Sequence, residues 1–529
     1  MDGRTHRRVL RPAAAFIAPA LVCFGVSAFL ALRMPVLLGA DEGAHLLYAA
    51  SVLDGHLPEF TTDHGANDRV PIIDRALGQP PREDTRGVWV AYHPPLAYAV
   101  SAPFVGVAGE LGPYTWPALA MRAVNAAAMA TGVVFAGLFA SEAFPTRRRV
   151  GFAAACITAV VPNVAAVGAA GHNDGVAFAL SAASLWVAAA VIRKGPSRRL
   201  LLAACGVAAA DMLARVSLAP SVALLAGAVL LGALRQRPRK GATARALCGA
   251  LAVGASALVA SGWFYWRNYQ LYGSFFSAPH AGWGRPSPGS LFDILTRSTF
   301  HRGMWAQLYA SVHARLVFDR ADDVLIALVA VLALGLVLAI WRRWRTVRGT
   351  SASFEHGDGA FAGNPAPDAP TDGIGALGWA LVACACAAIV IQTAWFHSQG
   401  GGAHSRYLLG VVPVVSALLA RAIDELPWPR LALAVVVAGL GGVLVSQLRR
   451  FPALIASLIP VRPFDAPAVG AGARAAPVVL ALTAAAVSIW VAVKLDRRAS
   501  ASAPTPATPR RAPARGTGVS TAHEGVRGR

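Results

Sequence analysis

The run AAAFIAPALVCFGVSAFLAL at positions 13–32 decides the fold class. It carries no charge, and at roughly 20 residues it is long enough to cross a bilayer as a helix. Arg4, Arg7, Arg8 and Arg11 precede it. The layout is that of a signal peptide, but no clear small-x-small cleavage site precedes the polar stretch that follows. The run therefore reads as a retained signal anchor, oriented from inside to outside by its arginines.

Comparable runs recur along the 529 residues. Hydrophobic residues make up 56% of the chain and charged residues 14%, where a soluble domain has about 25% charged. No alternating pattern supports a barrel. A bilayer forces each span to satisfy its own backbone, so the fold class is an all-α polytopic membrane protein. The net charge of +21 is gathered in arginine clusters between the apolar runs and in the tails. That arrangement fits the positive-inside rule and excludes a nucleic-acid surface. The cysteines Cys23, Cys156, Cys205, Cys248, Cys384 and Cys386 all fall in apolar runs and read as small buried hydrophobes rather than disulfides. Richness in Ala, Arg and Gly points to a GC-rich bacterial genome.

The arginines set the topology. After the span 13–32 comes a polar outer segment, 33–92, and then an apolar run, 94–111, that opens on His93-Pro94-Pro95 and contains Pro103. If 94–111 and 118–140 both crossed, Arg147-Arg148-Arg149 would lie outside. The run 94–111 is therefore expected to be a juxtamembrane or re-entrant segment on the outer face, giving a first outer loop over 33–117. The other spans are expected at 150–170, 175–192, 200–214, 217–234, 245–264, 322–341, 374–394, 406–423, 431–447 and 476–494. An outer loop covers 265–320 and a flexible inner loop 342–373. The sum is about twelve spans in a cell-membrane protein with both termini cytoplasmic. The basic N-terminus, 1–12, and the Ala/Pro/Arg-rich tail, 495–529, flank a main region over 13–425 and C-terminal helices over 426–494. The tail is expected to be disordered, with arginines able to touch anionic membrane lipid.

Under this topology the ionisable residues gather outside. Asp41-Glu42 follow the first span, and neighbouring carboxylates at a membrane edge are costly to keep. One of them can serve as a general base, or both can sit at a helix N-terminus. His45 lies one helical turn on. His93 precedes two prolines, which hold it out of helical geometry. His172-Asn173-Asp174 occupy an outer turn, where Asp174 can cap a helix or orient an acceptor. Arg215, Arg267 and Arg406, the last followed by Tyr407, lie at or near span ends. Arginine forks suit a phosphate, and each can also snorkel. A divalent metal held by His45, His172 and Asp174 stays open, although no strong metal motif is present.

Taken in order, these pieces resemble the GT-C-fold integral membrane glycosyltransferases. The branch is that of the dolichyl-phosphate-mannose protein mannosyltransferases and the lipid A aminoarabinose transferases. The matching residues begin with Asp41-Glu42, Gly55-His56-Leu57-Pro58 and His93-Pro94-Pro95-Leu96-Ala97-Tyr98. They continue with Arg122, Asn173-Asp174, Trp266-Arg267-Asn268, Leu271-Tyr272-Gly273 and Ser405-Arg406-Tyr407-Leu408-Leu409. The long polar stretch 59–92 and the Gly-rich turn 397–405 depart from the family pattern. The resemblance implies a polyprenyl-phosphate-linked sugar as donor, hexosyl or pentosyl transfer with inversion, and an extracytoplasmic site. It also implies Asp41 as the base, Glu42 as the substitute candidate, and Arg406 with Arg215 and Arg267 on the departing phosphate. His45, His93, His172, Asn173, Asp174 and Tyr407 then line the acceptor side, and the acceptor is a glycan, a lipid or a protein. The competing class is a transporter or flippase for a lipid-linked glycan, which would carry paired broken helices and ionisable groups at mid-membrane.

Overall fold

A computed structural model describes residues 3–36, 41–60, 88–113, 115–236, 241–276, 288–311, 319–354, 373–458 and 471–501. Among them every regular element is helical. Ten helices are long and apolar enough to cross a membrane, or eleven if one bent pair counts as a span. The chain is a polytopic α-helical membrane protein.

The bent pair corrects one expectation. The span 150–170 is two helices, Arg149–Ala159 and Pro162–Gly168, set at 60° to one another. Pro162 has no N–H to continue the ladder, and its ring clashes with the carbonyl one turn back, so the helix restarts there. The short span 200–214 is the helix Arg198–Ala214, of 17 residues. At 1.5 Å per residue it reaches ~26 Å, at the lower limit for crossing a ~30 Å hydrocarbon core. The segment 94–111 is the helix Leu96–Leu111, of 16 residues, and is shorter still. Val100, Phe104, Val107 and Leu111 are exposed along one side of it, while Tyr98, Ser101, Ala102 and Val105 are buried on the other. Such a two-faced helix lays one side on protein and the other on lipid.

The outer loop 265–320 also needs correction. Its first part continues the helix Ala242–Tyr272, and Leu291–Thr296 and Ser298–Ala310 are helical too. Residues 277–287 and 312–318 lie outside the described residues, as do 61–87, 355–372 and 502–529. The expected flexible inner loop and disordered tail therefore fall largely there. The parts described at their N-terminal edges, 342–354 and 495–501, are helical.

The core is built on Trp116–Ala143, which packs against Asp174–Lys194, Gly3–Arg33 and Arg148–Ala159. The apolar window of Asp174–Lys194 is 83% buried, against 11% for Ala321–Arg342 and for Gly375–Ser398. The first is therefore central and the other two face lipid. Small residues permit the close central packing. A Cβ added at Gly132 would stand 2.4 Å from the Phe178 ring. At the end of the bundle remote from Asp41, the buried Glu425 pairs with Arg342 at 2.6 Å, Arg147 at 3.4 Å and Arg421. These pairs clamp the junctions of three helices.

Candidate active site

The first helix ends at Arg33, and the next described element is Glu42–Leu53, with Asp41 as its N-cap residue. Gly39 and Ala40 lie outside the described residues. Asp41 has φ 62° and ψ 6°, the only positive φ of a non-glycine residue among those described. Left-handed backbone costs about 1 kcal/mol, less for Asp than for most side chains. The carboxylate makes no capping bond to its helix. It turns instead to Trp89, whose Nε1 donates to Oδ1 at 3.1 Å, and to Arg406, whose Nη2 donates to Oδ2 at 3.0 Å. The side chain stays 31% exposed, so a substrate can reach it. Burial alone would raise the Asp41 carboxyl. The charge and hydrogen bond of Arg406 outweigh that and hold it below the usual carboxylate range.

Glu42 has a different fate. It is buried, and its oxygens accept from Arg122 Nε at 2.6 Å, Arg122 Nη2 at 2.7 Å and the Gly171 amide at 2.9 Å. Arg122 is also buried and donates to the carbonyls of Ala31, Met34 and Pro35. Burial would raise Glu42, but Arg122 more than offsets it and keeps the carboxylate ionised. Its place as substitute base is corrected: it is a buried bracket that ties the end of the first helix to the 171–174 turn.

That turn carries the second half of the site. Asp174 pairs with Arg215, lies 3.2 Å from His172 Nδ1 and lies 3.8 Å from Arg406. It opens its helix without capping it, since the N-cap Asn173 makes no side-chain cap bond. Arg406 Nη1 stands 3.0 Å from His172 Nδ1. That nitrogen can donate to Asp174 or accept from Arg406, but not both. Arg406 thus bridges Asp41 on one side and His172 with Asp174 on the other. The guanidiniums of Arg215 and Arg406 each lie 5.4 Å from the Tyr407 ring centroid.

Three histidines form the floor. The His45 ring lies 5.0 Å from His172 and 6.3 Å from His93, and its Nδ1 is 2.8 Å from Tyr98 Oη. Tyr98 stacks on Tyr48 at 3.7 Å, and Tyr48 Oη donates to the His93 carbonyl. Burial, then the charge of Arg406, pushes His172 down to about 3. Burial likewise depresses His45 and His93, with Arg406 and Arg215 lowering both further. All three are neutral at physiological pH. No group of three His, Cys, Asp or Glu is placed to hold a metal ion among the described residues.

Arg267, the third expected phosphate ligand, is held by backbone carbonyls and keeps its Nη1 buried without a hydrogen-bond partner. Its Nη2 donates to the carbonyls of Leu57 and Pro58, while Asn268 donates to the Tyr92 carbonyl. Tyr272 Oη accepts from the Phe60 amide at 3.1 Å. This segment braces the loops that frame the site. Sequence reading missed Trp89, an apolar spot at the end of a polar stretch. It also missed Asn125, which binds the carbonyls of Val167 and Ala170 and the Gly175 amide. Asn125 follows Arg122 by one turn, and two polar groups at that spacing in an apolar span were the available signal.

Polar atoms wait around this arrangement. Arg406 Nε, His93 Nδ1 and Asn173 Nδ2 are buried without a hydrogen-bond partner. Unpaired buried donors are rare and mark a strained or ligand-bearing place. The site presents two arginines, each paired with a carboxylate, and it can accept a proton at Asp41. Compared with family models, curated proteins and solved structures, the chain shows no significant match.

Proposed function

We propose that the chain is a GT-C-like membrane glycosyltransferase. It moves a hexosyl or pentosyl unit from a polyprenyl-phosphate donor to an acceptor hydroxyl on a glycan, lipid or protein, with inversion. Under this reading Leu96–Leu111 stays at the outer face, and Arg198–Ala214 and the bent pair complete twelve spans. The site is extracytoplasmic and both termini are cytoplasmic.

The observation that carries the reading is the position of Arg406. It bonds to Asp41 with one nitrogen, contacts His172 with another, and keeps a third buried and unpartnered. In an inverting displacement the acceptor oxygen bonds to the anomeric carbon and the sugar–phosphate bond breaks. Asp41 takes the acceptor proton. The donor is a monoanion and the departing polyprenyl phosphate a dianion, so one negative charge passes from Asp41 to the phosphate. A cation touching Asp41 and reaching the phosphate serves both ends of that transfer, and Arg215 adds a second. The low affinity of Asp41 for protons keeps it ionised until the attacking hydroxyl becomes acidic.

A transporter would be better served by broken helices in corresponding halves of the chain. One bent pair is found among the described residues, which favours the transferase. The test is to reconstitute the purified protein with labelled polyprenyl-phosphate hexoses and pentoses and candidate acceptors. Release of polyprenyl phosphate with glycosylated acceptor is expected. Movement of the intact donor across vesicles without release would replace this reading with the transporter.

A further inference from the structure

The adjacent acids at 41 and 42 each meet an arginine, and they meet it differently. Glu42 closes a fork: Arg122 Nε donates to Oε1 at 2.6 Å and Arg122 Nη2 to Oε2 at 2.7 Å. A carboxylate matches the Nε–Nη2 edge of a guanidinium, and the two parallel bonds are the strong form of this contact. Asp41 faces the same edge of Arg406, yet only half of the fork forms. Arg406 Nη2 donates to Oδ2 at 3.0 Å, while Arg406 Nε is buried with no hydrogen-bond partner. The oxygen that would complete the fork is Oδ1, and Trp89 Nε1 holds it at 3.1 Å.

The turn that carries Trp89 is fixed from several sides. Val88, Val90 and Ala91 are buried in the cluster that contains Tyr48 and Tyr98, and Trp89 packs against that cluster. The Ala91 amide donates to the Val88 carbonyl at 2.8 Å, and the His93 amide to the Val90 carbonyl at 2.9 Å. Tyr48 Oη donates to the His93 carbonyl, and Asn268 Nδ2 to the Tyr92 carbonyl. An indole N–H donates and cannot accept, and it carries no charge. It therefore occupies one carboxylate oxygen without bringing a second cation to Asp41. On the other flank Arg406 Nη1 stands 3.0 Å from His172 Nδ1. The guanidinium is held by Asp41 and His172 while its Nε stays open.

We propose that Trp89 is a positioning residue that keeps the Asp41–Arg406 fork half open, so that Arg406 Nε is left to bind an oxygen of the phosphate of a polyprenyl-phosphate ligand. The identity of that ligand rests on the transferase reading. A closed fork would engage both Asp41 oxygens and occupy Nε, leaving a tight ion pair with neither a ready base nor a free donor. Glu42 with Arg122 is that closed form in the same chain, and it is a buried bracket. Packing alone would ask only for an apolar ring at position 89. It would not account for one of two neighbouring acids closing its fork and the other being held from doing so.

The test is titration of the full-length protein with polyprenyl phosphate, read by native mass spectrometry, beside donor turnover. Trp89→Phe keeps a ring and removes the donor, which frees Asp41 to close on Arg406. Polyprenyl phosphate should then bind about tenfold more weakly, the loss of one charge-assisted hydrogen bond. Donor KM should rise while acceptor KM stays unchanged. Asn at position 41 cannot complete the fork, because its NH₂ would face an Arg406 N–H as donor against donor. In an Asp41→Asn background, Trp89→Phe should therefore leave polyprenyl-phosphate binding unchanged, a rescue that damage to the fold would not show. Binding by Trp89→Phe as tight as wild type would overturn the proposal. So would an equal loss in the Asp41→Asn background, or no binding of polyprenyl phosphate by wild type. The expected binding losses without any sugar transfer by wild type would uphold the half-open fork and overturn the transferase reading.

Discussion

Glu42→Gln separates a buried bracket from a catalytic base. Glu42 takes two bonds from Arg122 and one from the Gly171 amide, and both charged side chains are fully buried. Gln keeps the shape, and its oxygen can still accept from Gly171. Its amide nitrogen then faces an Arg122 N–H, donor against donor, and the buried guanidinium loses its counter-charge. Breaking one side of a buried pair costs about 3–5 kcal/mol. Arg122 keeps three carbonyl partners at the end of the first helix, where the helix dipole favours a cation. The lower bound, about 3 kcal/mol, is therefore the expected loss. Thermal unfolding followed by tryptophan fluorescence should show a midpoint lower by several degrees. In an Arg122→Gln background the same change should cost less than about 1 kcal/mol, because the pair is already broken. A Glu42→Gln protein with a wild-type midpoint and no transfer activity would refute the reasoning and return Glu42 to the base role.

Further predictions follow from the same geometry. Gly175→Ala would put a Cβ 2.2 Å from Asn125 Oδ1 and 2.6 Å from its backbone oxygen. An overpacking loss of about 1–3 kcal/mol is expected, read as a lower unfolding midpoint. Arg406→Lys keeps the charge but cannot bridge Asp41 and His172 together, so kcat/KM should fall at least roughly tenfold, measured by donor turnover. His172 supplies a pH signature. Folded, its pKa is about 3, against an ordinary 6.5, so between those values the unfolded chain binds more protons. Stability therefore drops as pH falls through that window, by up to ~1.4 kcal/mol per unit from this group. His172→Gln should flatten midpoint-versus-pH curves, and an unchanged slope would contradict this.

Much of the fold could be read from the chain because a bilayer leaves few options. An uncharged run such as 13–32 must be a helix, and arginine clusters between runs constrain the rest. What composition could not show was where a helix breaks. Pro162 splits one span, whereas Pro477 lies inside Ala471–Ala501 and leaves that helix continuous. Packing decides between the two outcomes. Tyr265 and Trp266 read as the start of a loop because their polar neighbours outweighed their continuity with the preceding apolar run.

The site was legible as a set of residue types and less so as roles. Asp41, Arg406, Arg215, His172 and Asp174 do come together, from segments up to 365 positions apart. Asp41 and Glu42 are adjacent and chemically alike, so no spacing argument could part them. The left-handed turn at Asp41 does so by sending one carboxylate to Trp89 and Arg406 and the other down onto Arg122. Arg267 looked equivalent to Arg406 for the same reason. Its side chain is bound to the Leu57 and Pro58 carbonyls, which only the tertiary fold reveals.

The most direct test of the central claim is the single-turnover transfer rate of Asp41→Asn with polyprenyl-phosphate sugar, measured beside donor affinity in the same preparation. Asn retains an oxygen for Trp89 and removes both the base and the counter-charge on Arg406. Transfer is predicted to fall by about 10²–10⁴-fold, with donor affinity equal to or tighter than wild type because Arg406 is released towards the phosphate. A transfer rate within a few-fold of wild type, at unchanged donor affinity, would contradict the account.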